Sequence, residues 1–160
     1  MTYDILLPFS GAWQAEEDRY EEIDGAQISH MECHLPAPDG SGDEAFIDIY
    51  VGDMPSDTTA EDEAYANYAE IIGWSDEDDE DCPIAEWKFQ RKTAYGFTGE
   101  CENGSIMLLM CVEIHKGALL ILSLVADNDE EVGLILVRTK QKRALLVGCQ
   151  RLYALVWLYV

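Results

Sequence analysis

Ser105-Ile-Met-Leu-Leu-Met-Cys-Val-Glu-Ile114, His115-Lys-Gly117, Ala118-Leu-Leu-Ile-Leu-Ser-Leu-Val125: two apolar runs divided by a three-residue turn decide how this 160-residue chain folds. Runs of this length, bounded by turn residues, read as strands buried on both faces. Ala118–Val125 is apolar enough to expect it at the centre of a sheet. Before this pair, Asn103-Gly104 is the best hairpin turn in the chain. Thr93–Glu102 is then a strand with Tyr95 and Phe97 on one face, and its Gly96 and Gly99 mark bulges or close packing. Ile84–Arg91 is another strand, with Trp87 and Phe89 together. The second half is therefore an antiparallel meander.

The first half carries weaker strands and one helix. Tyr3–Leu7 reads as a short strand stopped by Pro8, followed by a turn through Trp13. Gln14–Glu22 is acidic and open between a helical turn and an edge strand. Ala26–Leu35 alternates: Ile28, His30, Glu32 and His34 face one way and Met31, Cys33 and Leu35 the other. Loop residues 36–42 join it to a second alternating run, Phe46–Val51, as a wide hairpin. Thr58 and Glu61 have capping-box spacing ahead of a helix. Ala64, Tyr68, Ile71 and Ile72 form its apolar face, and Gly73 its C-terminal stop.

This order of elements carries Lys92-Thr-Ala-Tyr-Gly-Phe97, Glu102-Asn-Gly104, Ala118-Leu-Leu-Ile-Leu-Ser123 and an early Leu7-Pro8…Trp13. It resembles the PsbP-like superfamily of photosystem II extrinsic proteins, which also holds a Ran-binding nuclear-import factor and chaperones of type VI secretion effectors. The chain looks like a distant bacterial-type member across roughly residues 3–130. The resemblance implies an α+β fold, an antiparallel sheet of about six strands flanked by helices, and a binding role without catalysis. It carries over no functional residues. It also implies an amphipathic C-terminal helix, for which Asp127–Glu131 is an acidic start that Val132, Ile135 and Leu136 continue.

Charge divides the chain sharply. All 32 Asp and Glu lie at or before Glu131, with five Lys and Arg among them, so residues 1–131 carry −27. The last 29 residues carry five basic and no acidic side chains, leaving −22 overall. Residues 1–131 thus read as one acidic α+β domain, and 132–160 as a basic, apolar segment packing as a helix or strand. Two origins for so abrupt a change are open: a shifted reading frame, or a genuine helix with a polar break before a final strand. An uninterrupted genomic frame through codon 160 would remove the first.

Such acidity excludes nucleic acid as a natural partner, since phosphate binding needs Lys and Arg, and it disfavours anionic lipid for the same reason. Basic protein surfaces and metal ions remain. Arg138–Arg143 interrupts the only long oily segment, so no membrane span is expected. Met1–Trp13 lacks a basic start and a long apolar core, so no signal peptide is expected either. Five irregularly spaced cysteines suit reduced thiols in a cytoplasmic protein.

Chemistry-bearing motifs are sparse. His30, Glu32 and His34 share a strand face and form a weak metal-ligand set that needs a further ligand from elsewhere. A solvent-facing polar strand side is the plainer reading, because paired zinc spacings are absent. The run Asp76, Glu77, Asp78, Asp79, Glu80 and Asp81 lacks the glycine and late glutamate of a calcium loop, and reads as a solvated surface for a basic partner. Cys82 sits among carboxylates, which disfavour a thiolate. No cofactor and no catalytic residue are expected. The leading expectation is a non-enzymatic acidic module that docks a basic protein. A chaperone or adaptor that masks an apolar client segment, and a small metal-binding or hydrolytic protein, are the alternatives.

Overall fold

The computed structural model describes residues 4–6, 13–21, 25–72, 83–89, 91–100, 104–115, 117–126, 135–139, 144–146 and 154–159, with the backbone path alone outside 13–126. Along the chain run β1 (Asp4–Leu6), β2 (Gln14–Glu21), β3 (Gln27–Pro36), β4 (Asp43–Asp53) and helix α1 (Ala60–Ile72). They are followed by β5 (Ala85–Phe89), β6 (Lys92–Glu100), β7 (Ile106–His115), β8 (Ala118–Ala126), β9 (Ile135–Thr139), β10 (Ala144–Leu146) and β11 (Ala154–Tyr159).

One antiparallel sheet holds seven strands in the order β2-β3-β4-β8-β7-β6-β5. The expected α+β arrangement, about six strands flanked by helices, is corrected: the protein is mostly β, and α1 is the single helix among the described residues. Two segments account for the difference. Gln14–Glu21 pairs along its whole length with β3, from Gln14 opposite His34 to Glu21 opposite Gln27, and becomes the seventh strand. All eight of its residues are exposed, as suits a polar edge strand with no face to bury. Ile135 and Leu136, expected in a terminal helix, lie in β9, where β-branched residues fit the pleated surface. Backbone pairing joins β9 to β10 and, in parallel, to β11, which pairs with β1.

The apolar run Ala118–Ala126 takes the central position, between β4 and β7. Gly104 and Gly117, at the two turns of the meander, adopt φ of 85° and 70°, a left-handed backbone that side chains resist. The β3–β4 hairpin forms as expected, with Met31 opposite Ile49 and Cys33 opposite Ile47. Its register slips between Leu35 and Pro36, where proline has no N–H to give the ladder.

Period-two alternation divides the core into two clusters. On one face Met31, Cys33, Ile47, Ile49, Met110, Leu120, Leu122, Leu124 and Phe89 are buried together, with Trp87 packed against them. On the other face α1 lies over β6 and β7, and Ala60, Ala64 and Tyr68 meet Met107, Leu109, Cys111 and Leu119. Tyr95 and Phe97 join this cluster, and the Phe97 ring tilts against Tyr68 with centroids 5.2 Å apart. Ile71, expected on the buried face, is 45% exposed. The capping box falls one residue later than Thr58 and Glu61. The Thr59 N–H donates to Asp62 Oδ2 at 2.9 Å, and the Asp62 N–H returns to Thr59 Oγ1 at 3.2 Å.

Candidate functional site

The helix covers only part of its face of the sheet. Beyond it, on β3 and β4, the same face carries polar and aromatic side chains. The hairpin register sets His30 opposite Tyr50, Glu32 opposite Asp48 and His34 opposite Phe46. His30 stacks flat on Tyr50, with centroids 4.2 Å apart and planes 4° apart. Its Nε2 lies 2.5 Å from Asp48 Oδ1 and 3.8 Å from Glu32 Oε1. His34 leans on Phe46 and sets Nδ1 2.8 Å from Asp43 Oδ2, with Nε2 3.9 Å from Glu32 Oε2.

His30, Glu32 and His34 do share a face, but the ligand-type atoms that converge belong to His30, Glu32 and Asp48. Asp48 was missed in the sequence. Its signal was present in Phe46-Ile-Asp-Ile-Tyr-Val51, whose alternation puts Asp48 and Tyr50 on the polar face; only the hairpin register brings it to His30. His115, at the end of β7, is exposed and pairs with Ala118, on a different strand pair. The acidic run Asp76–Asp81 and Cys82 lie outside the described residues.

Burial shapes the acid–base chemistry nearby. It pushes the Tyr50 hydroxyl up to about 12, with the Asp48 carboxylate adding to the shift. The thiols of Cys33 and Cys111 are likewise pushed up to about 12, chiefly by burial and then by Asp48 and Glu63 respectively. Both are free and buried, as small apolar core residues.

Next to this polar strip a cleft of about 730 Å³ opens between the sheet and α1. Tyr20, Ile28, Tyr50, Leu119 and Ile121 line its sheet side, and Glu63, Asn67 and Glu70 its helix side. The end of β4 adds Asp53, and the connection from β4 to α1 adds Met54, Pro55, Ser56 and Asp57. Four carboxylates and no Lys or Arg therefore line a partly aromatic cleft. Among the described residues the exposed large apolar side chains are Tyr20, Tyr65 and Ile71. No described helix is long and apolar enough to cross a membrane. No family model, curated protein or solved structure matches this chain, so the PsbP-like resemblance rests on its short motifs.

Proposed function

We propose that this protein is a non-enzymatic, cytoplasmic recognition module that docks a basic protein segment in the cleft between α1 and the β2–β4 edge of the sheet. The observation that carries this reading is the cleft's lining: Asp53, Asp57, Glu63 and Glu70 surround the apolar and aromatic surface of Tyr20, Tyr50, Ile28 and Leu119. A Lys or Arg side chain fits such a site through both of its parts. Its aliphatic stem lies along apolar surface while its charged head meets carboxylates. Aromatic faces add attraction for the cation. The overall charge of −22 draws basic partners from a distance and repels acidic ones, so charge governs encounter and selectivity while the apolar contacts hold the complex. Buried free thiols at Cys33 and Cys111 suit a reducing compartment.

Fluorescence anisotropy with a labelled Lys- and Arg-rich peptide tests the reading, with a charge-neutral peptide of equal length as control. The basic peptide is expected to bind, and to weaken about tenfold or more as salt rises from ~50 to ~300 mM, because exposed charges are screened over this range. The double substitution E63Q/E70Q is expected to weaken it several-fold at low salt. Equal binding of the neutral peptide, or affinity indifferent to salt, would remove the proposal. Unchanged affinity in E63Q/E70Q would remove the cleft as the docking site.

A further inference from the structure

The geometry points to a divalent transition-metal site, of the Zn²⁺ type, formed by His30, Glu32 and Asp48 on the β3–β4 hairpin. Their ligand atoms, one from each side chain, all lie within 4.8 Å of one another. Bonds of about 2.0–2.2 Å to nitrogen and oxygen place two donors of a tetrahedral site ~3.4 Å apart. His30 Nε2 and Glu32 Oε1, 3.8 Å apart, stand near that separation, whereas His30 Nε2 and Asp48 Oδ1, at 2.5 Å, must open by ~0.9 Å to admit an ion. The set is mixed, one imidazole with two carboxylates, and imidazole favours Zn²⁺ and its first-row neighbours over Mg²⁺ or Ca²⁺.

Two further features separate this cluster from a chance meeting of surface acids. The first is the support of His30. Its ring lies flat on Tyr50 and its side chain is only 13% exposed, so Nε2 is held toward the carboxylates. Asp48 is 20% exposed and Glu32 42%, which gives two inner donors and one at the mouth through which an ion enters. The second is His34. Its Nδ1 is held by Asp43, which turns Nε2 toward the other Glu32 oxygen at 3.9 Å. A carboxylate–imidazole pair of this kind is how proteins commonly fix the tautomer of a histidine beside a metal. Three protein donors leave a fourth position for water or for a group from a partner.

The test uses the full chain after chelator treatment. The protein has three histidines, so each imidazole can be followed by NMR while ZnCl₂ is added, with calorimetry giving stoichiometry. One equivalent of Zn²⁺ is expected to shift the His30 signals, to leave those of His115 in place, and to bind at micromolar Kd or tighter. Mg²⁺ and Ca²⁺ at the same concentrations are expected to leave His30 unmoved. Glu32→Gln, a near-isosteric change at a half-buried position, is expected to weaken Zn²⁺ about tenfold or more, in line with the sensitivity of metal sites to their surrounding groups. His30→Gln is expected to abolish the site. His30 signals that stay still at a full equivalent of Zn²⁺ would overturn the assignment. So would Zn²⁺ affinity that is unchanged in Glu32→Gln, which covers the case where His30→Gln does not fold.

Discussion

Replacing Gly96 by alanine should break the sheet where it is least able to yield. Gly96 lies in β6, opposite Ala85 of β5 and Met110 of β7. A Cβ placed there meets the Leu109 carbonyl oxygen at 1.9 Å, the Leu109 carbonyl carbon at 2.8 Å and Trp87 Cη2 at 2.9 Å. Carbon and oxygen approach without penalty only to about 3.3 Å. The β6 and β7 backbones must therefore part by more than ~1 Å, which takes neighbouring N–H···O bonds beyond useful length. Losing two such bonds costs about 2 kcal/mol, and overpacking in a close-packed region adds ~1–3 kcal/mol. The sum is about 3–5 kcal/mol, and each kcal/mol moves Tm by ~2–4 °C in a domain of this size. Urea unfolding followed by circular dichroism, with a thermal melt, measures both. Gly99→Ala is the control. Its new Cβ meets ring carbons of Phe97, the nearest at 2.7 Å, and a ring can turn where a strand backbone cannot. It should cost about 1 kcal/mol. If Gly96→Ala stays within ~1 kcal/mol of the parent, or Gly99→Ala costs as much, the close approach at β6 and β7 is not the constraint described.

Three other outcomes are expected. Thr59→Ala removes the helix cap and should lower Tm by about 2–4 °C. Thr59 hydrogen bonds hold the Asp62 carboxyl below its ordinary range, so this contribution is full above the unfolded value and is lost as pH falls through the folded one. The gap between melts of Thr59→Ala and the parent should accordingly narrow as pH falls below the ordinary carboxylate range. Cys33 and Cys111, with pKa pushed up to about 12, should resist iodoacetamide at pH 8 and react once urea unfolds the chain, as peptide mapping would show; labelling of either in the native protein would contradict their burial. Trp87 buries Nε1 without a hydrogen-bond partner, so Trp87→Phe removes a penalty of ~1–3 kcal/mol that offsets the cavity left by the smaller ring. Chemical denaturation should place it within about 1 kcal/mol of the parent, and a loss near that of a Trp→Ala change would mean the indole N–H is satisfied after all.

The strands were legible where packing is two-sided or alternation is strict. Ala118–Val125 could be placed at the sheet centre because a run without polar positions has no face to offer water. The His30 strand showed its faces by period two alone. The number of strands was not legible, because Gln14–Glu21 has no buried face and so no periodicity to read. Its strand character comes from pairing with β3, a tertiary fact. The cap moved from Thr58 to Thr59 because both residues satisfy the local rule, and only the packing of Ala60, Ala64 and Tyr68 selects the phase of the helix. The polar cluster was half visible for a related reason. Residues i and i+2 of one strand announce a shared face, whereas Asp48 reaches His30 through a register set by the loop between residues 36 and 43.

The placement of acidity explains why a polar strand can close this sheet. β2 ends the strand order, and an edge of eight residues is long enough to recruit a strand from another molecule. Glu16, Glu17, Asp18 and Glu21 against a single Arg19 make that recruitment unfavourable for a second copy of the same chain, whose edge carries the same charges. The local Arg19–Glu17 pair, at 2.9 Å, is exposed and does little to relieve the imbalance. The carboxylates that repel a like edge are attractive to a basic one. Tyr20, on this strand, is also part of the cleft wall beside α1. Under the proposed reading the two tasks fall to different residues: the β2 carboxylates keep copies of this chain apart, while Asp53, Asp57, Glu63 and Glu70, on other elements, would attract the cationic partner.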